Sequence, residues 1–169
     1  MESALELDVL RVADVPPGNL QELLARFDLN LHISAPGAAI EGSYWGEPEA
    51  GLVGHTVHVR PDTPIHSLLH EACHSICMSA ERRESLHRDA GGDDLEESAV
   101  CFLQIVLADS LAGVGSSRLM QDMDAWGYSF RLGNTASWFA GDAADAQAWL
   151  VAAGLLAPDG KPRWVLRQS

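Results

Sequence analysis

The chain has 169 residues, of which 47% are hydrophobic and 21% are charged, and its formal net charge is −13. This length suffices for one domain with a hydrophobic core, and we expect a single domain over residues 1–169. The charge excludes a nucleic-acid-binding surface, because no basic cluster is present to neutralise phosphates. No stretch is apolar over a membrane-spanning length, and no secretory signal is recognisable, so a cytoplasmic protein is expected.

The first third of the chain is predicted to form one helix and three strands. Residues 20–27 have apolar side chains at helical spacing. Residues 29–33, 39–45 and 53–60 are predicted strands, of which the first and third alternate between apolar and polar side chains. The third strand leads directly into the next helix, and we expect it to be an exposed edge that can pair with an extended peptide. An interior strand with a purely structural role is the alternative.

Residues 62–78 are predicted to form a helix that carries the pattern H-E-x-x-H at residues 70–74. Asp62 or Thr63 can cap this helix, and Pro64 suits its first position, where a missing N–H needs no partner. Four apolar residues recur at helical spacing and are expected to form one buried stripe: Leu68, Leu69, Ala72 and Ile76.

The two histidines of this pattern are predicted metal ligands. His70 and His74 are four residues apart, so on a helix their imidazoles project from the same face and can share one ion. Glu71 lies one position round the helix, where it can act as a base on water instead of as a ligand. Such a division of roles is what zinc-assisted hydrolysis requires, although solvated side chains on an exposed helix are the alternative. His66 lies one turn earlier and is expected beside the ligands or on the surface.

A zinc site of this kind needs a third protein ligand, and the next predicted helix begins with two glutamates. Glu96 begins an apolar face, whereas Glu97 begins a more mixed face that includes Gln104. If Asp94 caps the helix, Glu97 takes the third helical position and can close a capping box. That structural role for Glu97 favours Glu96 as the metal ligand, and Glu97 stays the alternative.

These residues resemble the gluzincin family of zinc metallopeptidases, in which H-E-x-x-H is followed by a ligating glutamate on a later helix. Many members carry Ala three residues after that glutamate and then Asp or Asn. Glu96 and Ala99 match this pattern, whereas Val100 does not. The region from residue 42 through the first metal-bearing helix also looks like small bacterial proteins assigned as metallopeptidases.

The resemblance implies one Zn²⁺ per chain and a zincin-like domain. The implied site consists of three metal ligands and one general base: His70, His74, Glu96 and, as the base, Glu71. Because Val100 departs from the family pattern, a carboxylate that supports the ligands must come from elsewhere, with Asp89, Asp93 and Asp94 as candidates.

The last third of the chain is predicted to be mainly helical, over residues 119–126, 137–140 and 142–153. The three cysteines lie on the two metal-bearing helices and are expected to be reduced core thiols. Five nearby aromatic residues form either core or one wall of a substrate cleft: Trp126, Tyr128, Phe130, Trp138 and Phe139. The expected fold is therefore α+β, with a small, mostly antiparallel sheet packed on the two metal-bearing helices and a helical C-terminal part.

The predicted function is zinc-dependent hydrolysis of a peptide or protein substrate. Glu71 would take a proton from water and pass it to the leaving amine, while the metal polarises the scissile carbonyl. Tyr128, Arg131 and His87 are candidates for stabilising the oxyanion. Hydrolysis of a non-peptide amide or ester would use the same ligands. A metal-binding recognition module without turnover is the remaining alternative, but it would have no need of a base at Glu71.

Overall fold

A computed structural model describes residues 8–43, 48–84, 93–130 and 133–168 of the chain. Over these residues the fold is α+β, with a small three-stranded mixed sheet and seven α-helices. The elements in chain order are a 3₁₀ turn (Val12–Asp14), α1 (Pro17–Ala25), β1 (Asn30–Ile33), β2 (Gly51–Val53), β3 (Thr56–Val59), α2 (Ile65–Cys77), α3 (Ala80–Glu84), α4 (Asp94–Ala108), α5 (Gly115–Trp126), α6 (Thr135–Gly141) and α7 (Ala144–Ala152).

The sheet has the strand order β1–β3–β2 and is mixed, not mostly antiparallel as predicted. β3 pairs in parallel with β1 and antiparallel with β2. The parallel pair is possible because the segment between β1 and β3 exceeds the roughly dozen residues that such a connection needs. The strand predicted over residues 53–60 is not continuous, because it contains the end of β2, a hairpin turn and β3. Gly54 forms its turn with a φ of +57°, a conformation that glycine adopts without strain.

The central position of β3 contradicts the predicted peptide-binding edge. β3 has a partner strand on each side, and its Val57 and Val59 are fully buried. The strand predicted over residues 39–45 is absent from residues 39–43, and the last two residues of that prediction lie outside the described residues. Instead, Gly42 packs against the backbone of Leu52 in β2, where an added Cβ would lie 3.0 Å from the Leu52 nitrogen. The outer edge of β2 is therefore covered.

α2 lies between the sheet on one side and α4 on the other. The predicted apolar stripe of this helix is confirmed, since its four members are at most 1% exposed. Pro64 is the N-cap residue, one position before the predicted one, with extended backbone at φ −62° and ψ 144°. The predicted capping side chains instead stabilise the preceding turn. Thr63 accepts a hydrogen bond from the Arg60 nitrogen (2.9 Å), and Asp62 pairs with the Arg60 guanidinium (2.8 Å).

α4 packs against α2, α5 and α7 and is the most central helix of the fold. Its N-cap residue is Asp93, whose side chain accepts a hydrogen bond of 2.8 Å from the backbone N–H of Glu96. The predicted cap, Asp94, is the first residue of the helix. Glu96 therefore takes the third helical position that the sequence analysis assigned to Glu97.

Two arginines bind the backbone carbonyls at the C-terminal end of α2. Arg83 donates to the carbonyls of Ser75 and Met78, both at 2.7 Å, and Arg167 donates its backbone N–H to the Ile76 carbonyl at 3.0 Å. The last carbonyls of a helix have no partner within the helix and carry partial negative charge, so guanidinium groups stabilise them.

The last third of the described chain is helical as predicted, although α5 begins four residues earlier than expected. The three cysteines are buried and form no disulfide, in agreement with the predicted core thiols. No helix among the described residues combines the length and the apolar character needed to cross a membrane.

We predict that Arg83→Met lowers the free energy of unfolding by about 2–4 kcal/mol, because buried carbonyls at the end of α2 lose a charged donor. Arg83 is only 2% exposed, so water cannot replace it. Urea unfolding followed by circular dichroism would measure the change. Lys161→Met, at an exposed position, is the control and should shift stability by less than about 0.5 kcal/mol. Equal unfolding midpoints for the two variants would contradict the role assigned to Arg83.

Candidate metal centre

Three side chains from α2 and α4 converge on one point. The Nε2 atoms of His70 and His74 lie 3.1 Å apart. One carboxylate oxygen of Glu97 lies 3.0 Å from Nε2 of His70, and the other lies 3.3 Å from Nε2 of His74. Each of these atoms has a lone pair that a metal can use, and among the described residues they form a group that could hold an ion. The structure thus brings together both predicted histidines.

The structure does not bring Glu96 to this group. Its carboxylate accepts hydrogen bonds of 3.0 and 2.9 Å from Arg82, and its side chain is nearly buried. The reason is the position of the cap. Because Asp93 caps α4, Glu96 takes the structural position at its start, and Glu97 lies on the helix face that continues through Gln104 towards α2. The preference for Glu96 in the sequence analysis depended on the cap being one residue later.

Gln104 orients one of the histidines. Its side-chain oxygen lies 2.7 Å from Nδ1 of His70, and its amide nitrogen donates to the backbone carbonyl of His66 at 3.3 Å. The amide nitrogen is therefore committed to donating, so the oxygen accepts a hydrogen bond from the Nδ1–H of His70. Nε2 is then the nitrogen that faces the group and can bind a metal once it is deprotonated. The predicted supporting carboxylate is thus replaced by an amide; Asp93 serves as the helix cap, and Asp89 lies outside the described residues.

The distances between the two Nε2 atoms, and from each of them to a different carboxylate oxygen of Glu97, are close to those between metal ligands. Tetrahedral ligands about 2.05 Å from Zn²⁺ lie about 3.3 Å from one another. Neighbouring octahedral ligands about 2.1 Å from a metal lie about 3.0 Å apart. The observed distances of 3.0, 3.1 and 3.3 Å cover this range. The donors also have the nitrogen and oxygen chemistry that first-row metals prefer, so the residues present fit such an ion.

The surroundings of His70 and Glu97 shift the pKa values of both side chains. Burial is the largest effect on His70 and acts to lower its pKa, but Tyr128, Cys101 and Glu97 together outweigh it and raise the pKa well above 6.5. Burial acts to raise the pKa of Glu97, but the two imidazoles lower it. The stabilisation from a protonated His70 is fully present below pH 6.5 and is lost as pH rises through the raised pKa. The group therefore favours a positive charge at its centre, which a proton or a divalent cation can supply.

Glu71, the predicted general base, lies beside the ligands without belonging to their group. It follows His70 directly on α2, so its direction differs by about 100° round the helix axis. Its side chain is 8% exposed. Its role as a general base stays a prediction.

A cleft of about 510 Å³ opens at the group formed by His70, His74 and Glu97. Its volume lies within the range of small-molecule and peptide subsites. His70 and Glu97 both line it. The predicted aromatic wall is present in part: Trp126, Tyr128 and Phe130 line the cleft, whereas Trp138 is 6% exposed and belongs to the core.

Glu49 is a cleft residue that the sequence analysis missed. Its carboxylate accepts hydrogen bonds from the Trp126 indole N–H, at 2.6 Å, and from the Ser67 hydroxyl. Ser67 in turn accepts from the backbone N–H of Ala50 at 2.9 Å. No local sequence pattern identifies Glu49, because a loop glutamate becomes a cleft residue only when α2 and the end of α5 pack around it.

His66 is buried and contacts Tyr128, which in turn contacts His70. It lies in edge-to-face contact with Trp126 and Tyr128, at ring distances of 5.1 and 5.3 Å. Burial is the main cause that lowers the pKa of His66 to about 3, so the ring is neutral. Tyr128 also contacts the ring of His70 edge-on. The surface position considered for His66 is therefore wrong, and the expectation that it lies beside the ligands is the accurate one.

The other histidines considered as ligands lie apart from the group. His55 pairs with Glu84 at 3.5 Å, and His58 packs against His32 on the polar side of the sheet. His87 and Arg131, which were candidates for the oxyanion donor, lie outside the described residues.

No protein-family model matches this chain, and no curated protein or solved structure is significantly similar to it. The resemblance to gluzincins thus rests on the motif residues alone and stays a prediction.

We predict that Glu97→Gln abolishes tight metal binding, whereas Glu96→Gln leaves one ion bound per chain. Glu97 supplies a charged oxygen to the group, and Glu96 pairs with Arg82 instead. Elemental analysis after dialysis, combined with chelator competition, would measure occupancy and affinity. Both variants replace adjacent glutamates by the same isostere, so each controls for the other. The reverse ranking would return the ligand role to Glu96.

We also predict that metal binding at pH 7 releases about one proton per chain, because the ion displaces the proton that His70 holds. The apparent affinity should accordingly increase as pH rises from 6.5 through the raised pKa of His70. Calorimetry in two buffers with different ionisation enthalpies measures the released protons directly. Identical binding heats in the two buffers would mean that His70 is not protonated in the metal-free protein.

Proposed function

We propose that this protein is a zinc-dependent hydrolase, and that it cleaves peptide bonds. The observation that carries the proposal is the convergence of His70, His74 and Glu97 at the wall of a cleft, with the nearly buried Glu71 next to His70 in the sequence of α2. Two nitrogens and one carboxylate oxygen leave room for water and substrate at the same ion, as in catalytic zinc sites.

A bound Zn²⁺ would polarise a carbonyl and lower the pKa of water. His70, His74 and Glu97 would hold the ion, and Gln104 would keep His70 in the tautomer whose Nε2 can bind it. Glu71 accepts the proton that water loses as it attacks the scissile carbonyl, and then donates it to the leaving amine. Burial raises the pKa of Tyr128, so its phenol keeps the proton and can donate a hydrogen bond to the developing oxyanion.

We extend the proposal to a zincin-like arrangement, in which a metal-bearing helix lies between a sheet and the helix with the third ligand. The order of the sheet, α2 and α4 supports this reading. Cytoplasmic function is compatible with three free, buried thiols, since disulfides are rare in that compartment.

A second candidate is an Fe²⁺-dependent oxygenase. Two histidines and one carboxylate on one face of an ion are also the ligand set of non-haem iron oxygenases. The His70–Glu97 and His70–His74 distances of 3.0 and 3.1 Å are close to those between neighbouring octahedral ligands, which is why this function is the second candidate.

Metal reconstitution separates the two candidates. The metal-free full-length protein would receive Zn²⁺ or, without oxygen, Fe²⁺, and each form would be tested on a peptide library with mass-spectrometric detection. We expect new peptide termini with the Zn²⁺ form and none with Glu97→Gln. With Fe²⁺, dioxygen and a two-electron reductant such as ascorbate, one oxygen atom would enter the product and the other would leave as water. Products that gain one oxygen atom only under these conditions would establish the second candidate instead.

We predict that Glu71→Gln retains the metal and the fold but lowers hydrolysis by about 10²–10⁴-fold, because the general base is lost. Turnover of a peptide found in the library would be measured together with metal content. Glu22→Gln, an exposed position on α1, is the matched control and should leave turnover unchanged. If Glu71→Gln retains normal turnover, another group takes the proton.

A further inference from the structure

Glu49 is the second carboxylate of the cleft, and its orientation is fixed from three parts of the chain. Glu49 itself precedes β2, Ser67 belongs to α2, and Trp126 ends α5. Trp126 donates to one carboxylate oxygen and Ser67 donates to the other. Both oxygens are therefore held in place at a position that lines the same cleft as His70 and Glu97.

Glu49 differs from the carboxylates whose negative charge is compensated by an arginine. Glu96 pairs with Arg82, and Asp122 pairs with Arg118. Within the described parts of the chain, no basic side chain lies within ion-pair distance of Glu49, and its two donors are neutral. Arg11, whose guanidinium lies 5.5 Å from the Trp126 ring centre, donates to the backbone carbonyl of Asp62.

The carboxylate has capacity for a further partner. A carboxylate offers about four acceptor positions, and two of those on Glu49 are used. A positively charged donor in the cleft would form a charge-assisted hydrogen bond, which is about twice as strong as a neutral one. The faces of the aromatic rings that line the cleft attract cations as well. The net charge of −13 favours the approach of such a ligand from solution.

We infer that Glu49 forms a subsite for an ammonium group of the substrate. The inference rests on the proposed function in taking this cleft as the substrate site. It adds a substrate class: peptides that present a primary ammonium, from either a lysine side chain or a free N-terminus, close to the reacting bond.

Binding of three small probes tests the subsite without any turnover. N-acetyl-lysine amide carries a side-chain ammonium, leucine amide carries an α-ammonium, and N-acetyl-leucine amide is neutral. Dissociation constants would be measured by ligand-detected NMR on the metal-loaded full chain. We expect at least one ammonium probe to bind about tenfold or more tightly than the neutral probe, and the tighter of the two identifies the source of the ammonium.

Two variants attribute this preference to Glu49. Glu49→Gln keeps the acceptor for Trp126 but removes the charge, so it should reduce the ammonium preference about tenfold and leave the neutral probe unchanged. Trp126→Phe keeps the charge and the apolar wall but removes one orienting donor, so a smaller loss of about threefold is expected. Thermal unfolding verifies the fold of both, and Glu41→Gln, at an exposed position, is the matched control.

The inference is overturned if no ammonium probe binds better than the neutral probe, or if well-folded Glu49→Gln retains the preference. Should Glu49→Gln fail to fold, retention of the full preference in Trp126→Phe overturns it, and a reduced preference supports it. Failure of the proposed function is a separate result. An ammonium preference that depends on Glu49, in a protein that hydrolyses no peptide with any metal, would retain the subsite and reject the hydrolase.

Discussion

The contact between α2 and α4 is the interaction on which the candidate site depends. Two candidate metal ligands lie on one helix and the third on the other, so the distance and phase between the helices determine whether the three side chains meet. Gln104, which is fully buried in this contact, links the helices through the His70 ring and the His66 carbonyl. A buried amide with two satisfied hydrogen bonds tolerates little displacement, because each lost bond would leave a polar group without water.

The ends of α2 are fixed by parts of the chain that are distant in sequence. At its start, the backbone N–H of Ile65 donates to the Leu10 carbonyl at 2.9 Å, and Leu10 in turn donates to Asp122 of α5 at 2.9 Å. At its end, Arg83 and Arg167 bind the final carbonyls. A helix held at both ends and packed on both sides presents its histidines in one orientation. Such preorganisation is what a metal or transition state requires of its ligands.

The local part of this site could be predicted from the sequence, whereas the phase of α4 could not. Spacing of four residues places His70 and His74 on one helix face whatever the rest of the chain does. The choice between Glu96 and Glu97 depends on which of two adjacent aspartates caps the helix, because one residue turns a helix by about 100°. Both aspartates are good caps, and only the packed structure selects Asp93. The mixed sheet could not be predicted from the sequence either, because strand order depends on pairing between residues that are distant in the chain.

The acidic residues in and around the candidate site differ in how their negative charge is balanced. Glu96, Asp62 and Asp122 each pair with an arginine, so their charges are compensated inside the protein. Glu97 faces two imidazoles, and Glu49 faces two neutral donors, in the same cleft. Positive charge in the cleft would form charge-assisted contacts with both carboxylates. A cation between the histidines would compensate Glu97, and a substrate ammonium would compensate Glu49, so metal and substrate would stabilise the cleft by the same physical means.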